Sequence, residues 1–256
     1  MGFENEVGRI SRGIFDFLKN RSNLEQVGNL KLQGFFNFSG VSVRDDCIQF
    51  PECGFHSYKE GNMLFFLGDA PTREPYEFCN AIIDFAVKTC HVEEICIIGG
   101  FIAPINHLGP RRVFGTVAQP ELRMFLLPDD VSIDVDYQTP PNAPRPSLNH
   151  FMLWVAGQRE IPAYSLWGEV PFYFASIKDP AGSKSLLEIL DKRFALALEF
   201  EDIDREIREL NMNIEALKSQ NHEINRYLQL LEQGIALSQE EGETLVREVA
   251  AFLRRS

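Results

Sequence analysis

The sequence predicts an α/β protein, with a three-layer core on a largely parallel sheet and a helical C-terminal section. Residues 63–67 and 95–98 are short apolar runs, and residues 74–89 between them show helical spacing of apolar side chains. A strand, a helix and a second strand in this order predict a βαβ unit. Strands that are apolar on both faces lie inside a sheet that helices cover. A heptad pattern in residues 203–231 predicts the helical section.

Other segments complete the predicted layers. Helices are expected over residues 8–20, 121–126, 148–158 and 186–198. Strands are expected over residues 41–50, 54–58, 113–117 and 131–137, the last with one exposed face because its apolar and polar residues alternate. Four prolines within residues 139–146 predict a loop. We therefore expect an α/β core domain over residues 1–200 and a helical coiled-coil hairpin over residues 201–256.

Composition limits the partners and the compartment. The chain has 256 residues, of which 45% are hydrophobic, and this suffices for one large core. Its net charge of −12 disfavours nucleic acid and anionic membranes, which attract basic surfaces. There is no apolar run long enough to span a membrane and no signal-peptide pattern, so a cytoplasmic protein is expected.

The cysteines predict reduced thiols, because their number is odd and no signal peptide is visible. Cys47, Cys53 and His56 could supply three zinc ligands, but a closed structural site needs four. Ordinary thiols are therefore favoured, and neither a metal nor a cofactor is predicted. The chain also lacks the usual nucleophile, nucleotide and zinc-protease motifs.

The ends of the predicted strands carry the residues that could line a pocket. Chemistry in open α/β sheets occurs where strands end and loops begin. Asp69 with Glu4 or Glu6 could form a carboxylate pair for acid–base work or divalent cations. His107 could be a general base, although a hydrogen bond that holds its loop is favoured. The pocket candidates are Glu6, Gly68, Asp69, Arg73, His107 and Arg111. Arg73, Arg111 and Arg112 could supply an anion site at the same rim, and a solvated surface is the alternative for the charged residues.

The C-terminal pattern predicts one long helix with an apolar stripe, called the seam here. The seam residues are Ile203, Ile207, Leu210, Ile214, Leu217, Asn221, Ile224, Leu228 and Leu231. Asn221 falls on a core heptad position, where a buried amide can fix register. Gly234 is expected to end the helix, and Ser238 with Glu241 predicts a capping box for a last helix.

The last helix is too short to cover the whole seam. Its uncovered half needs either residues 186–198 of the same chain or a neighbouring subunit. A helical hairpin packed on its own domain and an exposed stripe that binds a partner therefore both remain open.

Several motifs carry a resemblance to a known family. They are GDAP at residues 68–71, ICIIGG at 95–100, His107 before Pro110, QPEL at 119–122 and IPAYSLWGEVPFY at 161–173. In this order they resemble the proteasome assembly chaperone family, in its prokaryotic branch related to the second eukaryotic chaperone. Residues 1–8 resemble the loop after that family's first strand, so the strand is expected to be missing from this sequence, either because the sequence starts after it or because this member lacks it.

The resemblance implies a core like that of purine nucleoside phosphorylases, a helical C-terminal section and no established catalytic residues. Relatives carry a glycine-rich turn near residues 137–141, where this chain has YQTPP. Some archaeal relatives dock on proteasome rings through a C-terminal hydrophobic-Tyr-any-residue motif. This chain ends FLRRS without the tyrosine, so docking by that route is not expected.

Two functions follow from these patterns. The first is a homo-oligomeric scaffold or assembly factor without catalysis, with a trimer as the first expectation and a protein partner bound through the C-terminal helices. The second is an enzyme that binds a nucleoside-like small molecule at the rim around Asp69 and His107. The second rests on fold analogy, and the first is favoured.

Overall fold

A computed structural model describes residues 1–4, 6–21, 24–37, 40–44, 46–59, 61–126, 131–132 and 147–255. Its strands are β1 (Gly2–Phe3), β2 (Glu25–Asn29), β3 (Ser42–Arg44), β4 (Cys47–Gln49), β5 (Cys53–Tyr58), β6 (Met63–Gly68), β7 (Ile95–Ala103), β8 (Val113–Val117) and β9 (Ala163–Pro171). Its α-helices are α1 (Ile10–Arg21), α2 (Pro75–Asp84), α3 (Arg123–Leu126), α4 (Leu148–Gln158), α5 (Pro180–Phe194), α6 (Glu201–Gln220), α7 (His222–Glu232) and α8 (Gln239–Leu253). The predicted α/β class is confirmed, and none of these helices combines the length and apolarity needed to cross a membrane.

Strand β1 joins two halves of the sheet. One half has the order β1-β6-β5-β2 and the other β7-β9-β8. The Met1 nitrogen donates to the Cys96 carbonyl at 2.7 Å, and the Met1 carbonyl accepts from the Ile98 nitrogen at 2.8 Å. This is the pattern of a parallel pair, so β6, β1, β7 and β9 run in one direction. The predicted strands of the βαβ unit therefore exist, with β1 between them.

The expectation that the first strand is absent was wrong. Gly2 and Phe3 are themselves that strand, paired with Leu67 and Gly68. Two residues are too few to show an apolar period, and the first of them has no side chain. A Cβ at Gly2 would lie 1.9 Å from the Ser11 hydroxyl oxygen, so the close approach of α1 requires glycine.

Strand β7 runs past the position where the sequence suggested its end. Gly99 and Gly100 lie inside it, and it continues to Ala103. A Cβ at Gly99 would lie 2.6 Å from the Trp167 ring, and one at Gly100 would lie 2.4 Å from the Val7 carbonyl oxygen. These glycines permit close packing and do not terminate the strand.

Two apolar clusters lie on opposite faces of the sheet. Helices α1 and α5 pack on one face, with Ile14 and Leu186 among the buried residues. Helices α2 and α4 cover the other face, with Phe78 and Met152 buried. Neighbouring residues of β7 point to different clusters, as the alternation of a strand requires. The arrangement is a three-layer one, with helices on both faces of the sheet.

Ser42–Arg44 and Cys47–Gln49 pair with each other and with no other described strand. They make the β3–β4 hairpin, a separate two-stranded sheet, where the sequence suggested a single strand. The predicted strand over residues 131–137 is described only at Val131 and Ser132, and Ser132 bridges to Phe114. The rest of that strand and the predicted loop over residues 139–146 lie outside the described residues.

The prediction of one long C-terminal helix was wrong at Asn221. Helix α6 ends at Gln220, and Asn221 has extended backbone angles of φ −136° and ψ 102°. Its side-chain oxygen accepts hydrogen bonds from the backbone nitrogens of Glu223 at 3.0 Å and Ile224 at 3.3 Å. Asparagine is a strong helix N-cap, and here it caps α7 instead of filling a heptad core position.

The seam is buried largely against its own chain. Six of its members are buried in the cluster that includes α1 and α5, namely Ile203, Ile214, Leu217, Ile224, Leu228 and Leu231. Ile207 and Leu210 are half-buried. Helix α5 packs on α6, and α8 packs on both α6 and α7. The predicted capping box of Ser238 and Glu241 begins α8, after Gly234 with a φ of 73°. The geometry favours a hairpin packed on its own domain.

Candidate functional site at the carboxyl ends of the strands

The parallel strands end at one edge of the sheet, and most of the predicted pocket residues follow those ends. Asp69 follows β6, Glu4 and Glu6 follow β1, and His107 follows β7. We name them by their position: Glu4, Glu6 and Asp69, which follow β1 and β6, are called the acidic cluster, and His107 and Arg111, which follow β7, are called the histidine cluster. Glu4 contacts the end of β6, whereas Glu6 contacts Ser11 and Asn149.

Glu4 and Asp69 lie together, as the carboxylate pair requires. The Glu4 nitrogen donates to the Gly68 carbonyl at 3.0 Å, which places Glu4 beside the end of β6. Burial, and to a smaller degree the negative charge of Asp69, raises the pKa of Glu4, while Arg12 opposes the shift. The Arg12 guanidinium lies 3.0 Å from the Glu4 carboxylate. The pair is therefore partly neutralised by this arginine.

Burial moves the pKa of Glu6 toward neutrality. Its carboxylate accepts from the Ser11 backbone nitrogen at 2.5 Å and from the Asn149 amide nitrogen at 3.5 Å. Both contacts favour the charged form, but burial outweighs them and raises the pKa of Glu6 to about 7. A carboxyl group with this pKa can accept or release a proton near neutral pH.

Asn149 holds Glu6 from the first turn of α4. Its amide nitrogen also donates to the Ile98 carbonyl at 3.1 Å, which ties α4 to the middle of β7. Its side-chain oxygen is buried and has no hydrogen-bond partner within the described part of the chain. Asn149 was not among the predicted residues, because only the tertiary fold brings it to Glu6.

His107 is held by Tyr173. The Tyr173 hydroxyl lies 2.7 Å from the His107 backbone nitrogen, which donates to it, and 2.9 Å from the ring Nδ1. His107 is only 4% exposed. Burial, followed by the positive charge of Arg111, lowers the pKa of His107 to about 4. The ring is therefore neutral at physiological pH, and the geometry favours the loop-holding role over general base catalysis.

Arg111 is occupied by contacts within the protein. Its guanidinium lies 3.1 Å from Asp179, and the two side chains are 1% and 0% exposed. It also donates to the carbonyls of Asn106, His107 and Gly109. Asp179 in turn caps α5 by accepting from the Ala181 nitrogen at 3.2 Å. Arg111 thus ties the loop after β7 to α5, and these contacts do not support the predicted anion site at this residue.

The remaining pocket candidates have other surroundings or a packing role. Arg73 is exposed before α2, and its backbone nitrogen donates to the Phe35 carbonyl. Gly68 is buried, and a Cβ there would lie 2.6 Å from the Cys53 sulfur. Arg112 pairs at 2.6 Å with Glu169, a buried acid that sequence patterns did not reveal.

The thiols and histidines give no support to a zinc site. Cys47 is exposed, whereas Cys53 is buried, and burial raises the pKa of Cys53 to about 12. Within the described ranges, no three His, Cys, Asp or Glu side chains are grouped as metal ligands.

Sequence comparison identifies the family. Residues 4–218 match the PAC2 family, so this chain belongs to that family. Among curated proteins, none has a sequence that matches this chain.

Solved structures share the fold at low identity. A Mycobacterium tuberculosis protein of unknown function has a TM-score of 0.72 at 17% identity, covering 91% of this chain and 81% of that one. A proteasome-assembly chaperone homologue of the same organism has a TM-score of 0.68 at 15% identity, covering 89% and 100%. Pyrococcus furiosus PbaB, an archaeal proteasome activator, has a TM-score of 0.67 at 17% identity, covering 85% and 92%. At such identities these likenesses establish the fold alone.

Proposed function

We propose that this PAC2 family member is a cytoplasmic interaction protein with a chaperone-like role, and that it acts as a homo-oligomer, with a trimer as the first arrangement to test. Family membership supports the proposal. So do similar structures that are described as a proteasome-assembly chaperone homologue and a proteasome activator. In this proposal the chain works by contact and carries no catalytic residue.

We assign the two predicted parts different tasks. The core over residues 1–200, proposed to be purine nucleoside phosphorylase-like, builds the oligomer. The helices of residues 201–256, with α8 folded back as a short coiled-coil hairpin, contact the partner. Because most of the seam is buried, that contact uses the outer surface, where Met212 and Ile235 are exposed.

The observation that carries the proposal is the apolar face of the β3–β4 hairpin. Val43 and Ile48 lie directly opposite each other, and Phe50 follows two residues later. Their exposed fractions are 71%, 75% and 64%. An isolated two-stranded sheet is marginal in water, and an exposed apolar cluster is typical of a contact surface. A neighbouring subunit would cover this face.

Light scattering coupled to size-exclusion chromatography tests the oligomer. We expect the unaltered chain to elute as an oligomer and the Ile48→Glu variant to shift toward the monomer, because a charge would be placed in the contact. Met124→Glu is the matched control, since Met124 is equally exposed on α3. A monomeric unaltered chain, or an unchanged mass for Ile48→Glu, would contradict the assignment.

Partner binding by the helices needs a separate measurement. The unaltered chain and a Met212→Glu variant should be compared as bait for co-purifying proteins. We expect the variant to keep its oligomer mass and to lose partners that the Ile48→Glu variant retains. If the Met212→Glu variant retains all partners, the outer surface of the C-terminal helices does not bind them.

The acidic cluster favours a second candidate, a small-molecule enzyme that acts on a nucleoside-like compound. Glu6 has a pKa near neutrality and lies where the central strand ends, beside the buried Asn149. Thermal-shift measurements with nucleosides, phosphate and nucleotides test it. A stabilisation that Glu6→Gln abolishes and Glu77→Gln leaves intact would favour the enzyme. If a ligand raises the melting temperature of both variants equally, or of neither, the proposed enzyme site at Glu6 is contradicted and the interaction protein remains the favoured function.

A further inference from the structure

A groove of about 380 Å³ lies where the core meets the C-terminal helices. The turn before α1, the residues that lead into α5, the middle of α6 and the end of α8 form its walls. We call it the junction groove. It contains none of the pocket residues predicted from the sequence and none of the exposed residues of the β3–β4 hairpin.

The charges of the junction groove differ from those of the whole chain. Three cationic side chains line it, those of Arg9, Lys178 and Arg254, against the carboxylates of Glu206 and Glu209. The chain as a whole carries a net charge of −12. Lys178 is paired with Glu206 at 2.5 Å. Arg9 and Arg254 have no ion-pair partner among the described residues, so the groove has two guanidinium groups available to a ligand.

The backbone that presents Arg9 is constrained. Gly8 and Arg9 both have left-handed φ angles, of 67° and 47°. The Gly8 nitrogen donates to the Ala175 carbonyl at 3.0 Å, and the Gly8 carbonyl accepts from the Asp179 nitrogen at 2.9 Å. These bonds fix the turn against the segment that leads into α5. A left-handed arginine costs on the order of 1 kcal/mol, and such conformations cluster at functional sites.

The groove also has apolar walls. Ile177, Leu210 and Leu253 line it, and each packs against the buried apolar cluster on the α1 and α5 face of the sheet. Its volume lies within the range of about 300–1,000 Å³ that is usual for small-molecule sites. Guanidinium groups bind carboxylates and phosphates through paired hydrogen bonds.

We propose that the junction groove binds a small amphipathic anion, a phosphate or carboxylate attached to an apolar group. Arg9 and Arg254 hold the anionic end from opposite sides of the junction, and the apolar end lies along Leu210 and Leu253. Because one wall belongs to the core and the other to α6 and α8, the bound ligand links the two parts. Ligand that binds only the folded chain raises its stability.

Isothermal titration calorimetry with four probes tests the ligand class. Phenyl phosphate and phenylacetate combine an anion with a ring, inorganic phosphate supplies the anion alone, and benzyl alcohol supplies the ring alone. We expect at least one of the first two to bind about tenfold more tightly than either of the others. The preference between phenyl phosphate and phenylacetate identifies the anion.

Variants locate the binding. Arg9→Gln and Arg254→Gln should each weaken the better probe by about fivefold or more, because each removes a charged hydrogen-bond donor. Arg208→Gln is the matched control, since Arg208 is exposed on α6 and does not line the groove. We expect it to bind normally.

Each contrary result overturns the proposal. No saturable binding of phenyl phosphate or phenylacetate at about 5 mM excludes an amphipathic anion site of useful affinity. Equal weakening in Arg208→Gln shows unspecific charge attraction. Unchanged affinity in both groove variants places the binding elsewhere. Circular dichroism of each variant confirms that a lost signal is not a loss of folding.

Discussion

The acidic cluster and the histidine cluster lie at the same edge of the sheet, but burial affects them in opposite ways. Burial raises the pKa of Glu6 to about 7 and lowers the pKa of His107 to about 4. In each case burial disfavours the charged form, because that form loses the most hydration energy. Glu6 therefore changes its charge near neutral pH, whereas His107 stays neutral. At one edge of the sheet, burial thus brings the pKa of an acid into the neutral range and takes the pKa of a histidine out of it.

The clusters also differ in how completely their charges are paired. Arg111 and Asp179 neutralise each other deep in the protein, and Arg111 also binds three carbonyl groups. Asn149 is left with a buried oxygen that has no partner within the described ranges. The Arg111–Asp179 pair therefore acts as a clamp, while unpartnered buried atoms remain on both sides among the described residues, at the Asn149 side-chain oxygen and at the His107 Nε2.

The largest expected effect is the loss of the clamp. Arg111→Met should lower the free energy of unfolding by about 3–5 kcal/mol, because it leaves the Asp179 carboxylate buried without a partner. Urea denaturation measures it. As a control, Lys88→Met removes the exposed pair with Asp84 and should cost less than about 0.5 kcal/mol. A cost below about 1 kcal/mol for Arg111→Met would show that the clamp is weak.

The next effect is the pH dependence due to His107. The pKa of about 4 in the folded chain lies below the ordinary 6.5, so the unfolded chain takes up a proton first as the pH falls. The contribution of His107 to the free energy of unfolding is therefore full above pH 6.5 and is lost as the pH falls from 6.5 to 4. The stability difference between the unaltered chain and His107→Gln should fall by about 3 kcal/mol over that window.

Urea denaturation at several pH values measures the histidine effect. His222→Gln is the control, because His222 is exposed at the start of α7. If the difference for His107→Gln does not change with pH, the ring is not held neutral by its surroundings.

Glu6 should show the opposite pH dependence with a similar amplitude, because its pKa is displaced by as much as that of His107. Its pKa of about 7 in the folded chain exceeds the ordinary 4.5, so the folded chain keeps a proton that the unfolded chain loses. Stability therefore falls as the pH rises from 4.5 to 7 and is level above. At pH 8, Glu6→Gln should be about 3 kcal/mol more stable than the unaltered chain, since the substituted amide cannot ionise.

The same denaturation series checks Glu6. Glu77→Gln is at an exposed site on α2, and its free energy of unfolding should equal that of the unaltered chain at every pH. A Glu6→Gln variant that is less stable than the unaltered chain at pH 8 would mean that the hydrogen bonds of the charged form outweigh its burial.

The smallest effect concerns Ser11. Its hydroxyl donates to the Ile98 carbonyl at 3.1 Å, and its contact with Glu6 lowers the pKa of that carboxyl group. Ser11→Ala should cost about 1 kcal/mol and raise the pKa of Glu6 further. Carbon-13 NMR of the Glu6 carboxyl group measures the pKa. A fall in that pKa would contradict the proposed role of Ser11.

Sequence patterns predicted which edge of the sheet carries the candidate site, but they did not predict the side-chain contacts within it. The segments around β6, α2 and β7 have strong apolar periods, and the Ser238 capping box is a local signal, so these elements were predictable. The pairing of Arg111 with Asp179 joins residues 68 positions apart, and no local pattern encodes it. Asp179 before Pro180 is a helix-start signal that could have been used.

Two predictions failed because one residue type serves two purposes. Asparagine at a heptad position can be a buried core amide or a helix cap, and at Asn221 the extended backbone decides for the cap. Adjacent glycines can end a strand or allow a neighbour to approach, and Gly99 lies beside Trp167 inside β7. In both cases the deciding contact comes from the fold.

Strand β1 pairs on both sides with residues that are distant in the sequence. It contributes only Gly2 and Phe3, yet with Met1 it connects strands whose partner atoms lie up to 95 residues away along the chain. Closing so long a loop has an entropic cost that two residues of pairing repay only when both neighbours are already in place. We therefore expect the two halves of the sheet to form before β1 pairs with both of them.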